Sequence, residues 1–153
     1  MFEQKIIQFL RGTGRDAKGR THADVLKFTD AELEETHDYI QWLFPLREPS
    51  QAVPGTPWIE HEETVQLLRE DEEVQENMVN ALVRMDRFYQ DNKFWLKQHD
   101  HNHLRITRIL RSVVLLNTKA NARDFYDRIM WRVKLAQPVT EESLGYWQAS
   151  IED

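Results

Sequence analysis

Residues 71–90 read DEEVQENMVNALVRMDRFYQ, and this stretch decides the fold class. Its apolar side chains recur at spacings of three, four and seven residues, which places them on one face of an α-helix. They are Val74, Met78, Ala81, Leu82, Met85, Phe88 and Tyr89. Asp71 stands just before the stripe, where its carboxylate can accept a hydrogen bond from a backbone N–H of the first turn. The pattern predicts a capped helix that packs in a hydrophobic core.

Helical periodicity continues on both sides of this stretch. Thr29 and Glu32 form a capping box, and we expect the helix that follows to continue to Phe44 and to end at Pro45. Further helices are predicted after Thr21, around 60–70, from about 103 to 117, from about 122 to 137, and after Thr140. Long loops are expected at 45–57 and 90–103. No segment alternates with period two for long enough to predict a strand.

The sequence therefore predicts an all-α fold, with one compact domain over residues 1–153, six or seven helices and two long ordered loops. There is no cysteine, which removes disulfides and thiolate zinc sites and suits a reducing compartment. The first residues lack the uninterrupted apolar run of a signal peptide, and no later run is long enough to span a bilayer. We expect a cytoplasmic protein without a transmembrane segment.

Charge is unevenly distributed along the chain. Residues 30–83 carry fourteen acidic and two basic side chains, whereas residues 84–134 carry twelve basic and five acidic ones. The two regions can attract each other within one protein, or the basic region can meet an acidic protein or peptide partner. The overall net charge of −6 disfavours a dedicated nucleic-acid binder, whose domain is usually basic.

Residues 99–108, HDHNHLRITR, are the most distinctive polar segment. His99, His101 and His103 alternate, so their rings share a side only if the backbone is extended; on a helix, residues two apart point away from each other. A small metal-dependent or acid–base enzyme that uses these three histidines is the alternative interpretation. We favour no catalytic residue, no metal and no cofactor, because Asp100 or Asn102 is explained more simply as an N-cap.

Arg105 and Arg108 lie one turn apart near the start of the same helix. A helix N-terminus favours negative charge, and arginine binds carboxylate or phosphate in a bidentate manner. Two interpretations stay open: the arginines pair with a carboxylate of the chain itself, or they bind an external anionic ligand.

Two segments, THDYIQWLFPLREPS (36–50) and HNHLRITRILRS (101–112), closely resemble the signature segments of the opioid growth factor receptor conserved region. LVRMDRFY (82–89) and ESLGYW (142–147) are also similar to that family, so the resemblance extends over roughly residues 5–150. It implies an all-helical fold. It also implies a binding role, since founding animal members of the family are described as receptors for the peptide met-enkephalin. It assigns no catalytic residue.

Aromatic residues at the end of the first signature and polar residues at the start of the second match the family pattern. We predict that the two groups form one patch of a non-catalytic binding module, and that this patch accepts a peptide or another anionic ligand. The predicted ligand-binding residues are Tyr39, Trp42, His101, Asn102, Arg105 and Arg108. The sequence leaves the oligomeric state and the identity of the ligand open.

Overall fold

The computed structural model describes residues 2–136 and 139–152, and over these residues every regular element is an α-helix. The helices are α1 (Phe2–Leu10), α2 (His22–Leu26), α3 (Asp30–Glu35), α4 (Ile40–Leu43), α5 (Glu62–Glu70), α6 (Glu72–Asp91), α7 (His101–Leu116), α8 (Lys119–Ala136) and α9 (Glu141–Glu152). The predicted all-α class is confirmed. No helix within the described ranges combines the length and the apolar character that a membrane span requires.

Backbone contacts divide the chain into two compact units, Met1–Ala81 and Leu82–Asp153, which are described separately below. In the N-terminal unit, α1 packs against α4. The Phe9 ring lies edge-on to Trp42, with 5.4 Å between ring centroids, and 5.5 Å from His22. Ile6, Phe9 and Leu10 are fully buried, so the apolar face of α1 belongs to the core of this unit.

The helix expected to run from Thr29 to Phe44 is broken, and this part of the prediction was wrong. Its capping box is present, with each side chain bonded to the other residue's backbone N–H. However, α3 ends at Glu35, Thr36 is extended, and α4 begins only at Ile40. The Tyr39 hydroxyl turns back and donates to the carbonyl of Leu33 at 2.8 Å. The break lets Tyr39 be buried with its hydroxyl satisfied.

This break adds one helix to those predicted, and nine helices are found among the described residues instead of six or seven. The connection from α4 to α5 spans 44–61, somewhat longer than predicted. The connection from α6 to α7 spans 92–100 and is shorter, because α7 begins at His101 instead of near His103.

In the C-terminal unit, α7 packs against both α8 and α9, and α8 packs against α9. Ile106, Ile109, Leu110 and Val113 of α7 are buried, as their spacing predicted. Thr140 caps α9, because its hydroxyl accepts a hydrogen bond from the backbone N–H of Ser143 at 3.2 Å. This arrangement places the start of α7 beside the first turn of α9.

Candidate functional site at the start of α7

Asp100 caps α7. Its backbone is extended, and its Oδ1 accepts a hydrogen bond from the Asn102 N–H at 2.9 Å. Burial alone would raise the pKa of Asp100, but the hydrogen bonds from the backbone and side chain of Asn102 outweigh it, so the pKa lies below its usual value. The anion at the N-terminus of α7 is therefore a carboxylate of the chain itself.

Asn102 organises a buried polar network behind this cap. Its side chain has 0% exposure, and its Nδ2 donates to Asp100 Oδ1 at 2.8 Å. Its Oδ1 accepts from the Tyr89 hydroxyl at 3.1 Å and from Arg105 Nη1 at 3.4 Å. Asn102 and Arg105 are thus brought together, as predicted for the patch, and both are buried.

His103 is a second buried junction, with 5% exposure. Its Nε2 lies 2.8 Å from the Trp95 carbonyl, and its Nδ1 lies 3.0 Å from Ser143 Oγ. Because a carbonyl only accepts, Nε2 carries the proton, and the Ser143 hydroxyl can donate to Nδ1 of the neutral ring. The His103 carbonyl also accepts from the Trp147 indole at 3.0 Å. His103 therefore links the 92–100 connection, α7 and α9.

The alternative interpretation, a metal site formed by His99, His101 and His103, lacks the geometry that it requires. Both ring nitrogens of His103 are engaged, whereas His99 and His101 are exposed. Among the described residues, His99, His101 and His103 are not one of the groups whose ligand atoms lie within 4.8 Å of one another. On the helix that begins at His101, the side chains of His101 and His103 point to different sides, as expected for residues two positions apart.

A different group in the N-terminal unit does bring ligand atoms within 4.8 Å of one another: Glu3, Glu60 and His61. Glu3 Oε2 lies 2.6 Å from His61 Nδ1, and Glu3 Oε1 accepts from the His61 N–H at 3.0 Å. The hydrogen bond that the His61 ring donates to the Glu3 carboxylate raises the pKa of His61, which favours an ion pair. The group is explained as a link between α1 and the residue that precedes α5.

The aromatic residues of the predicted patch lie in the N-terminal unit. Tyr39 is 0% exposed and Trp42 is 2% exposed. Their surroundings are those of core side chains: Tyr39 bonds to Leu33, and Trp42 packs on Phe9. That they act together with the α7 residues stays a prediction.

One face of α7 offers side chains to solvent. His101, Leu104, Arg108 and Arg111 follow one another at spacings of three and four residues, and we call this set the α7 face. Leu104 is 67% exposed, the His101 side chain is 41% exposed, and Arg108 is half-buried. The predicted ligand-binding residues included His101 and Arg108 but neither Arg111 nor Leu104. Leu104 lies outside the apolar stripe of Ile106, Ile109, Leu110 and Val113, and this position could have identified it as exposed.

Fold and site together define a small all-helical protein with a buried polar network beneath an exposed helix face. Residues 22–94 match the family model of the Opioid growth factor receptor (OGFr) conserved region. The chain is 39% identical over 99 residues to the opioid growth factor receptors of Rattus norvegicus and Mus musculus, and 37% identical over 99 residues to that of Homo sapiens. The resemblance is confirmed over residues 22–94, where the chain is OGFr-like.

Each alignment covers 53% of this chain but only 17%, 15% and 14% of the rat, mouse and human proteins. The chain thus matches a small part of the length of these relatives. The family match includes Tyr39 and Trp42 and ends at residue 94, before α7 begins. The matched range, residues 22–94, is narrower than the resemblance over roughly residues 5–150 that was expected from the sequence. The second signature segment, residues 101–112, lies outside the matched range. No solved structure matches the chain significantly.

Proposed function

We propose that this OGFr-like chain is a non-catalytic binding module whose α7 face accepts a peptide or another anionic ligand. One observation carries the proposal: Leu104 is 67% exposed between His101 and Arg108 on one helix face. An apolar side chain flanked by groups that can carry positive charge suits a ligand with an apolar residue beside a carboxylate. The relatives, which are named receptors, support a binding role.

In this proposal the six predicted residues do not share one role. His101 and Arg108 contact the ligand, because they lie on the α7 face. Asn102 and Arg105 position that face through the buried network. Tyr39 and Trp42 belong to the core of the N-terminal unit, since side chains that are 0% and 2% exposed offer almost no surface to a ligand. The cytoplasmic location stays a prediction.

Fluorescence anisotropy with labelled met-enkephalin tests the proposal, using the peptide with its free C-terminal carboxylate and the same peptide as a C-terminal amide. The acid form should bind better than the amide. Arg108→Ala should weaken its binding about 10- to 100-fold, because one charge-assisted hydrogen bond contributes about 1.5–3 kcal/mol.

The matched control is Arg123→Ala, which removes an exposed arginine of α8 and should leave binding unchanged. Leu104→Glu is a second variant, which places a negative charge on the α7 face without disturbing the core. Equal binding of acid and amide, binding that neither Arg108→Ala nor Leu104→Glu weakens, or no binding at all would overturn the proposal.

A further inference from the structure

The C-terminal unit contains an open groove that the α7 face does not line. Its volume is about 630 Å³, and its walls come from the end of α6, from the 92–100 connection and from α8. On the α8 side, Asp124, Arg128, Trp131 and Leu135 follow at spacings of three and four residues and share one helix face. With a rise of 1.5 Å per residue, this wall is about 16 Å long. Such a length suits a ligand of several residues.

The groove is apolar at one end. Trp131 is 64% exposed and Leu135 is 71% exposed, and they lie one helical turn apart. Leu96 lines the groove from the 92–100 connection, and the buried Tyr89 lines it from α6. Large side chains so exposed on a charged helix mark an interaction surface, and tryptophan is enriched among residues that dominate binding energy.

The charged side chains that line the groove indicate which kind of ligand it can bind. The carboxylate of Asp124 lies 3.0 Å from Arg128 Nε, and that of Asp127 lies 3.1 Å from Arg123 Nε. Both acidic side chains of the groove are therefore paired within α8. Lys93 lines the same groove, is exposed, and makes no ion pair with any residue in the part of the chain that the structure describes. The charge left for a ligand to meet is positive.

We propose that this groove binds an acidic peptide. The peptide places a large apolar side chain against Trp131 and Leu135, while one of its carboxylates meets Lys93. Charge complementarity supports this occupant, and the open, three-turn wall favours a peptide over a compact small molecule. The groove goes beyond the proposed function, since it uses none of the α7 face, and the two can fail separately.

The test is an anisotropy titration with the fluorescein-labelled peptide DELFED and its basic counterpart KKLFKK. Wild-type protein should bind DELFED saturably and KKLFKK at least tenfold more weakly. Trp131→Ala and Lys93→Glu, both on the surface, should each weaken DELFED binding at least tenfold. Tyr146→Ala is the matched control, because Tyr146 is 57% exposed on α9 and does not line the groove.

Arg108→Ala separates the two sites. If the groove is the site, this variant binds DELFED as the wild type does. If Arg108→Ala abolishes DELFED binding and Trp131→Ala does not, the peptide binds at the α7 face and the groove proposal is overturned. Undetectable binding of DELFED to the wild type, or equal binding of DELFED and KKLFKK, also overturns it.

Discussion

Replacing Asn102 by alanine tests whether the polar start of α7 is a structural junction. The substitution removes the acceptor of the Tyr89 hydroxyl at 3.1 Å, the donor to Asp100 at 2.8 Å, and a longer contact to Arg105 at 3.4 Å. Because Asn102 is 0% exposed, water does not readily replace these partners. We therefore expect a loss of stability well above that of an ordinary surface substitution.

The size of the loss in the free energy of unfolding depends on which groups lose a hydrogen-bond partner when the Asn102 side chain is removed. A buried hydroxyl without an acceptor costs about 1–3 kcal/mol, so the Tyr89 hydroxyl accounts for about 2 kcal/mol. Asp100 loses the side-chain donor but keeps the backbone N–H of position 102 and the Lys97 ammonium at 3.4 Å. The lost hydrogen bond to Asp100 therefore contributes less, about 1 kcal/mol. Alanine regains a few tenths of a kcal/mol of helix propensity. The free energy of unfolding should fall by about 3 kcal/mol.

Urea unfolding followed by circular dichroism measures this loss, and a double-mutant cycle with Tyr89→Phe assigns it. Tyr89→Phe alone should cost about 1 kcal/mol, but in the Asn102→Ala background it should restore about 1 kcal/mol because it removes the unpaired hydroxyl, which gives a coupling of about 2 kcal/mol. A coupling indistinguishable from zero, or a loss below about 1 kcal/mol for Asn102→Ala, would refute the reasoning that this network holds the start of α7.

Two further predictions concern histidines of the N-terminal unit. Burial lowers the pKa of His22 from 6.5 to about 4, so below pH 6.5 the unfolded state takes up a proton that the folded state does not. Stability should therefore fall by about 2 kcal/mol between pH 7 and pH 5 relative to His22→Leu, with the loss levelling off below pH 4. The free energy of unfolding of both proteins is measured with urea at each pH. If it changes with pH by the same amount in wild type and in His22→Leu, the prediction is wrong. The second prediction concerns His61, whose pKa is raised by Glu3. In an NMR titration, Glu3→Gln should have a lower His61 pKa than the wild type. An unchanged pKa would show that Glu3 does not raise it.

Much of the helical framework could be predicted because its signals are local. The capping box at Thr29 and the N-caps at Asp71 and Thr140 involve residues at most three positions apart, and the structure confirms all three. The buried stripe of α6 follows from its spacing in the same way. The break before Tyr39 could not be predicted, because it depends on a hydroxyl that reaches back six residues to Leu33.

The candidate site was only partly predictable for the same reason. The sequence showed that Asp100 or Asn102 caps a helix and that the histidine spacing disfavours a metal site on a helix. It could not show that Asn102 meets Tyr89, thirteen residues earlier, or that the His103 carbonyl meets Trp147, forty-four residues later. Contacts of this kind leave no periodic pattern.

The sequence by itself determined the helical class and the approximate helix positions, since periodicity and capping act over three or four residues. Only the tertiary structure decided which polar residues at the start of α7 are buried. A hydrogen-bonding side chain can be buried only where distant parts of the chain supply its partners. Packing thus makes Asn102 and His103 junctions of the C-terminal unit and leaves Leu104 exposed on the same helix.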